Sequence, residues 1–134
     1  MIERYTLPEM GRVWEEENKL RSWLTVEVAA CEAMAEMGQI PAAAAAVIRE
    51  KADFDLARVS EIEDRVRHDV IAFLTAVGEK VGPESRYIHL GLTSSDVLDT
   101  ATAMQMAQAA VGVLDTAALP RAMRIAEIDV DVCF

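Results

Sequence analysis

The sequence predicts an all-α protein, on three observations about composition and periodicity. Apolar residues recur at spacings of three, four and seven through every long segment, as they do on one face of a helix. Aromatic residues make up only 5% of the chain although 52% of it is hydrophobic, so small and aliphatic side chains must build the core, which suits close helix packing. Strand-like alternation occurs only near the end of the chain, in residues 128–132.

The first predicted helix is long and amphipathic and covers residues 11–37. Gly38 ends it, and Pro41 begins the next helix at a first-turn position, where its missing N–H costs nothing. That second helix ends near Ala52, and its run of alanines predicts a tightly packed turn. The apolar stripe of the first helix contains Val13, Leu20, Leu24, Val28, Cys31 and Ala35.

A third helix is expected over residues 55–80. On its helical wheel His68 lies opposite the apolar stripe, and by itself such a histidine is a solvated surface residue beside Asp64. The stripe contains Val59, Ile62, Val66, Val70, Phe73 and Val77.

A fourth helix is expected from about Asp96 to Ala118. Residues 81–85 end the third helix, and residues 86–92 between the two are expected to be extended or irregular. The stripe of the fourth helix contains Val97, Ala101, Met104, Gln108, Val111 and Asp115.

Charge and composition exclude several classes of function. The formal net charge of −10 argues against nucleic acid or an anionic membrane as a partner, because both attract clustered Lys and Arg. The N-terminus lacks an apolar signal region, and the most apolar stretch, residues 41–48, is too short to span a membrane, so we expect a cytoplasmic protein. Cys31 and Cys133 match no metal-ligand spacing and are interpreted as free thiols, and no metal site is expected.

One segment carries a chemical signal, because His89 and a glycine turn precede three adjacent hydroxyls, Thr93, Ser94 and Ser95, at the start of a helix. A helix N-terminus leaves backbone N–H groups without partners, so such hydroxyls can close around an anion such as a carboxylate. The same residues also fit a simple cap, since Asp96 follows Thr93 by three positions. Both interpretations stay open on the residues alone.

Three segments together resemble the N-terminal region of bacterial adenylosuccinate lyases, a branch of the fumarase/aspartase superfamily. These are residues 1–10 with Arg4 and Tyr5, residues 67–70, and residues 89–100. The resemblance extends to about residue 110, and Ser95 stands where the related cycloisomerases typically have Gln. It implies an N-terminal helical domain in residues 1–93 and, in residues 94–134, the truncated start of a central helical-bundle domain, including its first long helix.

The resemblance implies elimination of fumarate from adenylosuccinate, giving AMP, and from the succinyl-carboxamide imidazole ribotide of purine biosynthesis, without metal or organic cofactor. Thr93 and Ser94 would bind the succinyl carboxylate, and His89 would be a second pocket histidine. The nucleotide part would contact Arg4, Tyr5, Arg67, His68 and Asp69. Of these, His68 would tune or relay a proton in a supporting catalytic role, and Asp69 would orient His68 or a neighbouring arginine.

The family's principal acid, a histidine in a later Thr-His motif, and its base, a serine on a glycine-rich loop, have no counterpart in this chain. Family enzymes are homotetramers whose sites combine three subunits, so we expect the 134-residue chain to be inactive alone. We also expect it to be marginally stable or to self-associate, because the apolar stripe of its fourth helix packs in the family against other bundle helices. Two alternatives remain. One is another lyase of the superfamily acting on a non-nucleotide succinyl compound, and the other is a non-catalytic helical module that binds a partner through the fourth helix.

Overall fold

The computed structural model describes residues 3–116, which form six α-helices and no β-strand. The helices are α1 (Pro8–Val13), α2 (Glu16–Glu36), α3 (Ala42–Lys51), α4 (Leu56–Val66), α5 (Asp69–Val81) and α6 (Ser94–Thr116). The prediction of an all-α fold is confirmed. The strand-like residues 128–132, Cys133 and the predicted end of the fourth helix at Ala118 lie outside the described residues.

Apolar side chains of α2, α3, α4, α5 and α6 form one core, in which α2 packs against α3 and α6 while α5 packs against α4 and α3. The Trp23 and Phe73 rings meet edge to face with centroids 5.5 Å apart, and Phe54 meets Phe73 in the same way at 5.7 Å. Fully buried alanines at positions 72 and 101 let neighbouring helices approach closely. The predicted stripe residue Cys31 is completely buried.

The predicted first helix is two helices, α1 and α2, separated at Trp14 and Glu15. The carbonyl of Val13 ends α1 by accepting hydrogen bonds from the Asn18 amide (2.8 Å) and the Gln105 amide (2.7 Å). These side chains satisfy a carbonyl that a continuous helix would have bonded internally. The acidic residues Glu16 and Glu17 then occupy the first turn of α2, where the helix dipole favours negative charge.

The predicted third helix is also two helices, α4 and α5, so the prediction that His68 lies within a helix is wrong. Arg67 ends α4 in the left-handed conformation with φ 55°, and its N–H still donates to the Glu63 carbonyl. His68 is the N-cap of α5. The apolar pattern does not reveal the break, because Val66 and Val70 on either side of it are four residues apart, as on one face of a continuous helix. In the structure, however, Val66 is exposed and Val70 is buried.

The buried face of α6 is rotated relative to the predicted stripe. Val97 and Ala101 are buried as expected, but the next buried position is Gln105 rather than Met104 or Gln108. Gln105 can be buried because its side-chain amide donates a hydrogen bond to the Val13 carbonyl. The α6 helix therefore packs against both α1 and α2.

The segment between α5 and α6 contains a short 3-10 helix, Pro83–Tyr87, followed by turns in residues 88–91. Irregular backbone was expected for residues 86–92, so the expectation fails only for Arg86 and Tyr87, which belong to the 3-10 helix. Among the described residues no helix has the length and apolar character needed to cross a membrane.

Candidate functional site

The hydroxyl segment lies at the N-terminus of α6, as the sequence predicted. Its backbone is set by two residues in the left-handed region, His89 with φ 62° and Gly91 with φ 76°. Glycine adopts this conformation without cost, whereas a histidine there carries about 1–2 kcal/mol of strain. The turn at residues 88–91 therefore carries a strained backbone directly before the helix.

Thr93 is held by the carboxylate of Asp96. The Thr93 N–H donates to Asp96 Oδ2 at 2.7 Å, and the Thr93 hydroxyl donates to the same oxygen at 2.9 Å. These bonds, first from the amide and then from the hydroxyl, keep the pKa of Asp96 below its usual range, and positive charge on His89 acts in the same direction. The Ser94 hydroxyl has no hydrogen-bond partner within residues 4–112, whose side chains the structure describes. The capping interpretation is therefore correct for Thr93, while Ser94 remains available to a ligand.

His89 is bound to a residue that the sequence analysis did not single out, Glu27 of α2. Glu27 Oε2 accepts the His89 backbone N–H at 2.9 Å, and Glu27 Oε1 lies 2.6 Å from His89 Nδ1. The Glu27 side chain is 2% exposed and the His89 side chain 22% exposed. The pair thus joins a buried carboxylate to a histidine that is partly open to solvent.

Glu27 had a signal in the sequence. It lies on the apolar stripe of α2, one turn after Trp23 and one turn before Cys31, which are themselves almost completely buried. Glutamate is almost never fully buried unless a partner compensates its charge. A carboxylate in the middle of a core stripe therefore indicates a paired group, although the stripe alone does not identify His89 as the partner.

The segment Arg67-His68-Asp69 forms the junction of α4 and α5. His68 Nδ1 accepts the Ile71 N–H at 3.4 Å, while Asp69 Oδ1 accepts the N–H of Val70 at 2.7 Å. Asp69 Oδ1 lies 3.6 Å from His68 Nδ1, too far for a hydrogen bond. Arg67 makes only a long contact with Asp64, 3.9 Å, and both side chains are exposed. The junction thus presents an imidazole and a guanidinium to solvent.

Arg4 and Tyr5 lie together in a 3-10 turn that precedes α1. The Arg4 guanidinium stacks over the Tyr5 ring at 4.8 Å, and Tyr5 is 74% exposed. Within the described part of the chain, no hydrogen bond or ion pair joins this turn or the 67–69 junction to the start of α6. His89, Thr93 and Ser94 therefore lie in one segment, and the other candidates are exposed.

No three His, Cys, Asp or Glu side chains come together as a metal-binding group in residues 4–112, whose side chains the structure describes. The segment at the start of α6 offers instead hydroxyls, a helix N-terminus and one imidazole. These are donors suited to anionic oxygen atoms.

Comparison with known proteins gives one consistent family. Residues 3–122 match the family described as lyase. The chain is 67% identical over 106 residues to the adenylosuccinate lyase of Synechocystis sp., covering 79% of this chain and 25% of that protein. It is 52% identical over 109 residues to the adenylosuccinate lyase of Bacillus subtilis, covering 81% of this chain and 25% of that protein.

A solved structure shows the same arrangement of helices. The crystal structure of a fumarate lyase from Mesorhizobium sp. BNC1 matches with a TM-score of 0.67 and 26% identity, over 73% of this chain and 24% of that chain. The chain spans about a quarter of the length of the curated relatives it matches. On the family match over residues 3–122, this chain belongs to the lyase family.

Proposed function

We propose that this chain supplies the first part of the active site of an adenylosuccinate lyase, which eliminates fumarate from adenylosuccinate and from the related succinyl-carboxamide ribotide. The observation that carries the proposal is the donor segment at the start of α6, in which Ser94 is unpaired within residues 4–112 and His89 is hydrogen-bonded to Glu27. It occurs in a chain whose similar proteins carry that enzyme's name.

The chemistry of the reaction fits donors of this kind. A base removes a proton beside a carboxylate and an acid protonates the departing nitrogen, so the transition state carries extra negative charge on the carboxylate. Preorganised N–H and O–H groups stabilise that charge without reorganising. We assign Thr93 and Ser94 to the succinyl carboxylate, with His89 as a neighbouring pocket histidine.

The Asp96 carboxylate affects how these two hydroxyls contribute. A substrate carboxylate competes with Asp96 for the Thr93 hydroxyl. The Ser94 hydroxyl, in contrast, has no existing hydrogen bond within the described residues that must first be broken. We therefore expect Ser94 to provide the first hydrogen bond and Thr93 to join when the site closes.

The exposed candidates belong to the nucleotide part of the substrate in this proposal. Arg4, Tyr5, Arg67, His68 and Asp69 are solvent-facing here, as groups must be if they meet a ligand or another subunit. His68 would tune or relay a proton through Nε2, because its Nδ1 accepts the Ile71 N–H.

The assembly belongs to the same proposal. A homotetramer in the cytoplasm, with residues 1–93 as an N-terminal domain and residues 94–134 beginning a helical bundle, would bring these surfaces to one cleft. Neither a metal nor an organic cofactor is required by the reaction.

A chimera tests this function. Residues 1–112 of this chain, joined to the remaining sequence of the Bacillus subtilis relative, should release fumarate from adenylosuccinate, measured by absorbance of the product. His68→Ala, Thr93→Ala and Ser94→Ala should each lower kcat strongly, since losing one preorganised donor commonly costs about 3 kcal/mol of barrier.

The control is Asp64→Ala, which removes an exposed carboxylate 3.9 Å from Arg67 and should leave turnover unchanged. Thr93→Ser keeps the hydroxyl and should retain activity. A folded chimera that releases no fumarate would contradict the proposed reaction. Full activity in the Thr93 and Ser94 alanine variants, with unchanged helix content, would show that the hydroxyls only cap α6.

A further inference from the structure

We infer that Glu27 is a positioning residue: its buried carboxylate holds the His89 ring by Nδ1–H and leaves Nε2 as the ring nitrogen available to a ligand or a proton. The inference rests on the proposed function for its role in turnover. Its geometric part, the fixed tautomer, stands on the structure alone.

The first step is the pairing of the carboxylate. Both oxygens of Glu27 are engaged by the same residue, Oε2 by the His89 N–H at 2.9 Å and Oε1 by His89 Nδ1 at 2.6 Å. A buried carboxylate without partners costs several kcal/mol, so the two contacts are what makes this position tolerable. No buried side-chain polar atom among residues 4–112 lacks a partner.

The second step is the direction of the hydrogen bond. An ionised carboxylate only accepts, so a ring nitrogen 2.6 Å from it must carry the proton. His89 is therefore the Nδ1–H tautomer when neutral, and any proton that the ring gains or loses is exchanged at Nε2. In contrast, His68 uses Nδ1 as an acceptor and carries its proton on Nε2.

The third step is rigidity. Glu27 lies in the middle of α2, between Trp23 and Cys31, which are 1% and 0% exposed, so its carboxylate cannot move far. On the other side, His89 holds the strained φ of 62°, a conformation that persists where surrounding contacts over-determine it. The ring orientation at the start of α6 is thus set from the core of the protein.

The test uses the isosteric variant Glu27→Gln. The backbone N–H of His89 can only donate a hydrogen bond, so the side-chain oxygen of Gln must be the atom that faces it and accepts. Its NH2 group then faces Nδ1 and donates to it, which forces the proton of the ring to Nε2. The variant keeps both hydrogen bonds and the shape but should reverse the tautomer.

The measurement is a long-range 1H–15N spectrum of the 15N-labelled 134-residue chain, at a pH where the imidazoles are neutral. The chain has two histidines, so a His68→Ala variant assigns both rings. We expect Nδ1–H for His89 in the unmodified chain and Nε2–H in Glu27→Gln. Glu32→Gln, a charge change on the same helix at a residue paired with Arg49, should leave the Nδ1–H signal unchanged.

An Nε2–H signal for His89 in the unmodified chain would overturn the inference without need of any variant. An unchanged tautomer in a Glu27→Gln chain of normal helix content would overturn it equally. In the chimera described above, Glu27→Gln should lower kcat/KM by about 10- to 100-fold, because the hydrogen-bond partner of His89 then fixes the wrong tautomer of the ring. An inactive chimera with the expected tautomers would contradict the proposed reaction and leave only the tautomer of His89, fixed by Glu27, established.

Discussion

At the residue scale, burial decides the chemistry of the one described cysteine. Cys31 is fully buried, and its thiol donates a weak hydrogen bond to the Tyr87 carbonyl at 3.5 Å. Desolvation raises the pKa of the thiol to about 11, and the negative charges of Glu27 and Glu32 act in the same direction. Because the thiolate is the reactive form, this thiol should be inert in the folded chain.

Thiol labelling tests that expectation. In a Cys133→Ser variant, which leaves Cys31 as the only cysteine, an aromatic disulfide reagent at pH 8 should react on the order of 100-fold more slowly than with the denatured chain. The same variant in denaturant is the control. Equal rates in the two conditions would show that Cys31 is accessible in the native state.

The site residues show how far sequence reasoning reaches at this scale. The cap formed by Thr93 and Asp96 follows from residue type and a spacing of three, and the structure contains it. The partner of His89 could not be found in the same way, because Glu27 lies 62 residues away in sequence and only the packing of α2 brings it close. Spacing rules capture local hydrogen bonds and miss those made between helices.

At the element scale, the sequence places helices well and misses two breaks. The apolar period continues through Val66 and Val70, so periodicity alone gives one helix where α4 and α5 form two. No Gly or Pro marks that break, since Arg67 itself takes the left-handed conformation. Tertiary packing is responsible, because turning the chain at Arg67 lets α5 fold back against α4.

Hydrogen bonds and ion pairs between charged side chains connect neighbouring helices. Arg58 of α4 donates two hydrogen bonds to Glu79 of α5, at 2.9 and 2.6 Å. The carboxylate of Asp53, in the loop between α3 and α4, forms ion pairs with Arg21 of α2 at 2.6 Å and with Lys80 of α5 at 2.7 Å. We call this group of three side chains the Asp53 clamp. These hydrogen bonds from Lys80 and Arg21 lower the pKa of Asp53 far below its usual range.

The Asp53 clamp predicts a pH-dependent stability. Because the folded-state pKa lies below the unfolded value of about 3.9, the contribution is fully present above that value and is lost as the pH falls through the folded pKa. Asp53→Asn should therefore lower the free energy of unfolding at pH 7, by a modest amount because the groups are partly exposed. The gap to the unmodified chain should begin to narrow below about pH 4 and close only as the pH falls through the folded-state pKa, as measured by urea titrations.

The matched control is Asp64→Asn, since Asp64 has only a long, exposed contact with Arg67. It should change stability little at any pH. A constant Asp53→Asn difference from pH 7 to the acid limit would show that the clamp acts through packing and not through charge.

At the scale of the whole molecule, α6 leaves the face that carries Met106 uncovered. Met106 is 60% exposed and lies across the helix from Val97 and Ala101, which are buried. A large apolar side chain on an exposed helix face favours association. A net charge of −10 opposes association without specific contacts, so any oligomer must be held by complementary packing.

Sedimentation velocity at several concentrations should therefore show a concentration-dependent shift to species larger than the 14.7 kDa chain. Met106→Glu should move the distribution towards monomer, whereas Met37→Glu, at an equally exposed methionine near the end of α2, should not. A monomer at every concentration, or equal effects of both variants, would contradict a role for this face of α6.

The hydrogen bond from Gln105 to the Val13 carbonyl has a kinetic consequence. It joins residues 92 positions apart, and closing a loop of that length costs about 4 kcal/mol of chain entropy before any contact repays it. The α4–α5 pair needs only a two-residue turn, so its contacts can form before the long-range contacts of the rest of the chain. We therefore expect α6 to dock after α4 and α5 have paired, and the hydroxyl segment at its N-terminus to take shape late in folding.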